Sequence, residues 1–295
     1  MRSRVFAVLP LIIPIVAACL RPVPAPAAAI ERAARAPGRP AAAHAIAPAP
    51  KPRVVLGIFG GMGPEATADC YRKVIAATPA TKDQDHIPTL IYSLPQVPDR
   101  TSAIRTGDRS IVPWLVEGVT RLERAGASFI IIPCNTAHYY YDDMQAAVRI
   151  PIVNMIRETV AETTRRHPDA RRIGLLATSG TIATHLYERE FAARGIRTLV
   201  PDSATQESVV MKAIRSIKAG EEKKIAEDLL AGAADSLVAR GAEVLVLGCT
   251  ETPLAFNPAR AHAPVVDATR VLAQAAVAKY QELSARADAR TGGRR

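Results

Sequence analysis

Aromatic residues make up only 4% of this 295-residue chain, with a single tryptophan, so its cores must be filled by aliphatic side chains and alanine. Cysteines number four, Cys19, Cys70, Cys134 and Cys249, and none belongs to a CxxC pair or a cysteine-histidine cluster. So sparse a set supplies neither a disulfide framework nor a zinc site. The apolar stretch from Val5 to Ala18 is too short for a comfortable membrane-spanning helix. Charge of one sign is also scarcer than the formal +10 suggests: residues 1 to 52 carry a net +6 and residues 286 to 295 a net +3, which leaves +1 for residues 53 to 285. The folded part therefore has no basic excess to offer a nucleic acid.

What is present begins with a leader. Arg2 and Arg4 precede the apolar run, the layout of a secretory signal over residues 1 to 19. Val16-Ala17-Ala18-Cys19 resembles a bacterial lipobox, which implies lipidation of Cys19 and attachment to a membrane; cleavage near Ala27-Ala28-Ala29 gives a soluble periplasmic protein instead. Either fate makes the protein exported. Residues 20 to 52 are Ala, Pro and Arg with almost no large apolar residue, a disordered linker, and residues 286 to 295 form a disordered basic tail.

Between these tails, short runs such as 53 to 59, 129 to 133, 172 to 177 and 244 to 248 are apolar but for a leading Arg53 and Arg172, as strands buried on both faces are. They alternate with helical patterns, including 111 to 125, 139 to 147, 181 to 194, 208 to 218 and 225 to 240. The expected fold is α/β, two similar Rossmann-like lobes with parallel sheets and a cleft between them. The first lobe is expected over 53 to 155 and the second over 156 to 267, with a last helix, 269 to 285, returning to the first.

Two stretches read as copies of one pattern. GASFIIIPCNT, from Gly126, and GAEVLVLGCTE, from Gly241, each set a cysteine eight positions after the glycine, at the carboxyl end of an apolar strand. Ligands of open parallel sheets bind outside those ends. Facing lobes would put Cys134 and Cys249 on opposite sides of one cleft. A thiolate on one face of a tetrahedral carbon and a thiol on the other can remove a proton and return it with inversion. Cys70, in the helical EATADCYRKVI, is expected to be packing.

Gly60-Gly61-Met62-Gly63-Pro64-Glu65-Ala66-Thr67, Pro95-Gln96-Val97-Pro98-Asp99-Arg100-Thr101, Pro133-Cys134-Asn135-Thr136-Ala137-His138 and Gly248-Cys249-Thr250-Glu251 resemble, in order, the cofactor-independent aspartate racemases of the Asp/Glu racemase superfamily. The resemblance implies an isomerase without pyridoxal phosphate or metal, a small amino-acid substrate, a homodimer, and Cys134 and Cys249 as the two bases. It further implies that Asn135, Thr136 and Thr250 hold the α-carboxylate and ammonium groups, and that Arg100 and Lys218 bind a side-chain carboxylate. Met62 and Gln96 are candidates to line the pocket, and Thr181 to touch the ligand. Glu251 is a candidate to meet the ammonium group or orient Cys249, and His138 to serve as structural support. Aspartate is the expected substrate. Broad-specificity or glutamate-type racemases, related isomerases, and an exported two-lobe amino-acid-binding protein are the alternatives.

Overall fold

A computed structural model describes residues 54–292; the leader, Cys19, the linker and residues 293–295 of the tail lie outside the described residues. Strands β1 (Leu56–Gly60), β2 (Thr89–Ser93) and β3 (Phe129–Ile131) form a parallel sheet in the order β2-β1-β3. Strands β4 (Arg172–Ala177), β5 (Arg197–Leu199), β6 (Val244–Gly248) and β7 (Val265–Asp267) form a second parallel sheet in the order β5-β4-β6-β7. The two sheets share one plan. In each, the first strand in sequence lies centrally, the second on one side and the third, which leads to a cysteine, on the other. A lone parallel bridge between Ile130 and Ile152 stands where β7 stands in the second sheet.

Continuous apolar runs form these strands because helices cover both faces of each sheet. In the first, Phe59, Ile130 and Ile132 pack on one side with Leu115, Val119 and Met144 from helices α3 (Val112–Arg124) and α4 (Tyr141–Ala146), once α1 (Pro64–Ala77) and α2 (Arg100–Thr106) have been passed in the chain. Leu56, Ile58, Phe129 and Ile131 pack on the other side with Cys70 and Val74 of α1 and with the small apolar face of the last helix. Each fully buried large aliphatic or aromatic side chain contributes roughly 1.5–3 kcal/mol. The second sheet repeats the arrangement with α5 (Met155–Arg166), α6 (Ser179–Ala183) and α7 (Leu186–Ala192) ahead of α8 (Ser203–Thr205). The last of these passes through a π turn at Gln206–Val210 into α9 (Met211–Ala219), which is followed by α10 (Lys223–Ala239).

The last helix, α11 (Ala268–Gly292), packs against α1 and α5 and continues past 285 into the tail expected to be disordered, which is helical as far as Gly292. Its entry is held by Asp267, which accepts the Thr269 and Arg270 N–H groups at 2.8 and 3.2 Å and pairs with Lys73 of α1 at 2.7 Å. Lys73 also pairs with Asp69 at 2.6 Å, so one ammonium joins the edge of the second sheet to the first lobe. Cys70, in the same helix, is fully buried, and burial pushes its thiol up to about 12. It is core.

Differences from the expected elements have local causes. The helix expected over 181 to 194 is two helices, broken at His185, whose φ of 52° is left-handed. The pattern at 139 to 147 begins as a 3-10 turn, Thr136–Tyr140, before becoming α4. Helix α2, absent from the expected elements, is started by Asp99, whose carboxylate accepts the Ser102 N–H at 2.7 Å.

Candidate functional site

The glycine-rich turn after β1 shapes one wall of the cleft. A Cβ at Gly60 would run into the Thr67 side chain, and Gly61 has a φ of 91° with the Leu94 backbone against it. Only glycine fits both positions. Thr67 Oγ1 accepts the Gly61 N–H and donates to the Gly63 carbonyl, both at 2.8 Å, and Pro64 opens α1. Met62, 2% exposed, is thereby held facing the cleft.

Both cysteines follow strands that end at the same cleft, whose volume is about 760 Å³. Cys134 is 5% exposed and Cys249 3%. Each has its carbonyl pinned from a short 3-10 turn beyond it rather than from a long helix. For Cys134 the donor is the His138 ring Nδ1, at 2.8 Å; for Cys249 it is the Thr252 hydroxyl, at 2.7 Å.

The His138 Nε2 accepts the Met155 N–H at 3.0 Å, so the imidazole is neutral with its proton on Nδ1. Burial lowers its pKa from 6.5 to about 4, against the lift of its backbone hydrogen bonds. Since the folded value is depressed, the unfolded chain binds the extra proton between these pH values. Stability is therefore full above about 6.5 and falls as pH drops towards 4, by on the order of 3 kcal/mol from this residue. Urea midpoints at pH 7 and pH 4.5 should show this fall in the native protein and a shallower one in His138→Gln; equal slopes would remove His138 as its source.

Arg100, the first residue of α2, has its guanidinium held by backbone carbonyls: Nη1 donates to Val97 and Pro98 at 3.1 and 3.0 Å, and Nη2 to Met62 at 3.3 Å. Among the described residues no carboxylate pairs with it. A positive charge is thus fixed in place on the cleft wall without a counter-ion.

Lys218 also lines the cleft. Its Nζ donates to Glu251 Oε1 at 2.7 Å. The same oxygen accepts the Gly63 N–H at 3.1 Å, and Oε2 accepts the Cys249 S–H at 3.1 Å and the Thr250 O–H at 3.3 Å. Glu251, 4% exposed, thereby ties the second lobe to the glycine turn of the first. Burial pushes the Cys249 thiol well up and the Glu251 charge pushes it further, with Lys218 opposing both. For Lys218, burial pulls downward, and the attraction of Glu251 and of the Cys249 and Cys134 sulfurs outweighs it, leaving the amine above its ordinary value.

Asn135 and Thr136 lie on the first-lobe wall. The Asn135 Oδ1 accepts the Tyr187 hydroxyl at 2.6 Å, while its buried Nδ2 has no partner among the described residues. Tyr187 is fully buried and 52 residues away in sequence, and no short-range pattern marks it. Thr136, Thr178 and Thr181 form a triangle of hydroxyls at 2.8, 3.0 and 3.0 Å across the lobes. This placement sets Thr181 behind the cleft wall, fully buried, instead of on it. Gln96 also departs from expectation: it is exposed and outside the cleft lining, because Val97 takes the buried position in that turn. Thr250 lines the cleft as expected.

Comparison with known proteins places these features in a family. The family profile described as Asp/Glu/Hydantoin racemase matches residues 59–276. A broad specificity amino-acid racemase, RacX, of Bacillus subtilis is 28% identical over 231 residues, covering 77% of this chain and 98% of that protein. Among solved structures, the aspartate racemase of Picrophilus torridus is similar with a TM-score of 0.69 and 29% identity, covering 77% of this chain and 94% of that one. An aspartate racemase homologue from Pyrococcus horikoshii shares the fold, with a TM-score of 0.62 at 24% identity, over 78% of this chain and 99% of that one.

Proposed function

The chain belongs to the Asp/Glu/Hydantoin racemase family, and from that premise we propose that it is an aspartate racemase that inverts Cα between Cys134 and Cys249. One observation carries the reading: two buried thiols, from the ends of equivalent strands in opposite lobes, border a single cleft. A binding protein has no need of acid and base groups on both faces of its ligand.

In this mechanism a thiolate removes the Cα proton and the opposing thiol delivers one to the other face. Charge that develops on the substrate is met by donors already in place. The Asn135 Nδ2 suits a carboxylate oxygen, and its direction is set by the Tyr187 hydroxyl on the far side of the amide. Thr136 from the first lobe and Thr250 from the second also line the cleft. Arg100 is the cation for a second carboxylate, since its charge is uncompensated whereas that of Lys218 is already met by Glu251. This selects a dicarboxylate.

The test is incubation of the reduced protein with L-aspartate in deuterated water. Loss of optical rotation together with deuterium at Cα is the expected result, and tight binding with neither would sink the racemase reading. A broad-specificity racemase is the second reading, favoured by a cleft of about 760 Å³, roomier than a four-carbon amino acid requires. Values of kcat/KM across aspartate, glutamate, alanine and lysine separate the two; a flat series favours the second.

A further inference from the structure

Cys134 and Cys249 are not equivalently partnered. The Cys249 S–H donates to Glu251 Oε2 at 3.1 Å, whereas among the described residues Cys134 Sγ makes no hydrogen bond. The other oxygen of Glu251 accepts from Lys218 Nζ at 2.7 Å, so sulfur, carboxylate and ammonium form a continuous line through the cleft wall. Beyond that wall is a second, smaller cavity of about 220 Å³, lined by Gly63, Pro64, Pro95, Arg100, Lys218 and Glu251 and by neither cysteine. Lys218, with its side chain 36% exposed, borders both spaces.

We propose that Glu251 and Lys218 are a proton port through which Cys249, but not Cys134, exchanges its proton with solvent while substrate fills the cleft. The proposal rests on the two-base reading of the same site. Inversion in one direction leaves Cys249 as a thiolate beside the buried Glu251 carboxylate, and two like charges in so dry a place repel strongly. Relief comes by proton return. Lys218 gives a proton to Glu251, the neutral carboxyl turns about its Cγ–Cδ bond and gives that proton to Cys249 Sγ, and Lys218 recovers one from water in the second cavity. The net change is one thiolate and one solvent proton becoming one thiol. Titratable and charged groups facing this line are Lys218 from α9, Cys134 from the end of β3, Tyr187 from α7 and Arg100 at the second cavity. Among the described residues none of them hydrogen-bonds to the Cys134 sulfur as Glu251 does to that of Cys249.

The consequence is directional. An enantiomer that presents its Cα hydrogen to Cys249 can lose that hydrogen to solvent and return to the cleft mouth with its handedness unchanged. Its mirror image, deprotonated by Cys134, cannot. In deuterated water at low conversion, deuterium in recovered substrate of the starting handedness should differ about tenfold or more between L- and D-aspartate, and Glu251→Gln should remove the difference. Equal incorporation in the native protein, or a difference that survives in Glu251→Gln, overturns the port.

A second measurement needs no turnover. Alkylation of each cysteine by iodoacetamide is followed by mass spectrometry as a function of pH in the reduced, folded chain. Glu251→Gln removes the neighbouring negative charge, so Cys249 should alkylate at lower pH and about tenfold faster at fixed pH, with Cys134 moving little. Lys218→Met should move Cys249 the opposite way, which guards against a general loosening of the site. An unmoved Cys249 profile in both variants, each shown folded by circular dichroism, overturns the proposal. A shifted profile in a protein that racemises no amino acid overturns the two-base reading while leaving the thiol–carboxylate coupling intact.

Discussion

Cys134→Ser and Cys249→Ser should each lower the racemisation of aspartate by roughly 10²–10⁴-fold, the usual share of a positioned acid or base. Serine keeps the shape of the site but its hydroxyl is far harder to ionise than a thiol. Burial sharpens the effect, since both side chains are 5% exposed or less. The two variants should also differ. In Cys134→Ser, Cys249 can still take a proton from one enantiomer, exchange it through Glu251 and Lys218, and return a proton to the same face. Exchange without inversion then survives for that enantiomer alone. Circular dichroism at a fixed wavelength reports inversion and mass spectrometry reports exchange. Racemisation at the native rate in either variant ends the two-base account.

Arg100→Ala should lower kcat/KM for aspartate by roughly 10- to 100-fold, in line with the loss of one charged hydrogen-bonding partner, and should change alanine little. The reason lies in how the guanidinium is held. Three backbone carbonyls fix its plane without neutralising it, so its charge is free for a substrate carboxylate and its ordering is complete before substrate arrives. Arg100→Lys keeps the charge but cannot reach three acceptors from one plane, and should recover only part of the loss. Steady-state kinetics with both substrates decide the matter. An equal loss for alanine would mean that Arg100 supports the turn and does not select the substrate.

These expectations differ in where they could first be read. The two cysteines were legible as a pair because strand register is a local property: eight residues from glycine to cysteine, repeated in a similar apolar run, put both sulfurs at strand ends. The GGMGP turn stood out only in company with the other motifs, and the structure supplies its reason, a positive φ at Gly61 and close approach at Gly60 and Gly61. Gln96 shows the limit. It stands in a motif beside Arg100, yet the turn sends it outward and Val97 inward, and the motif alone does not show which.

By itself the sequence determined the parallel α/β lobes, their duplication and the identity of the two thiols, because apolar runs, turn residues and strand ends follow from neighbours in the chain. Only the tertiary structure decided which distant groups meet beside the thiols. Glu251 meets Gly63 across 188 residues and Lys218 across 33, while Tyr187 meets Asn135 across 52. Such pairs exist only once two packed lobes bring distant backbone together. That closure joins the carboxylate standing two residues after Cys249 to Lys218 and Gly63, a linkage that the two similar strands do not contain.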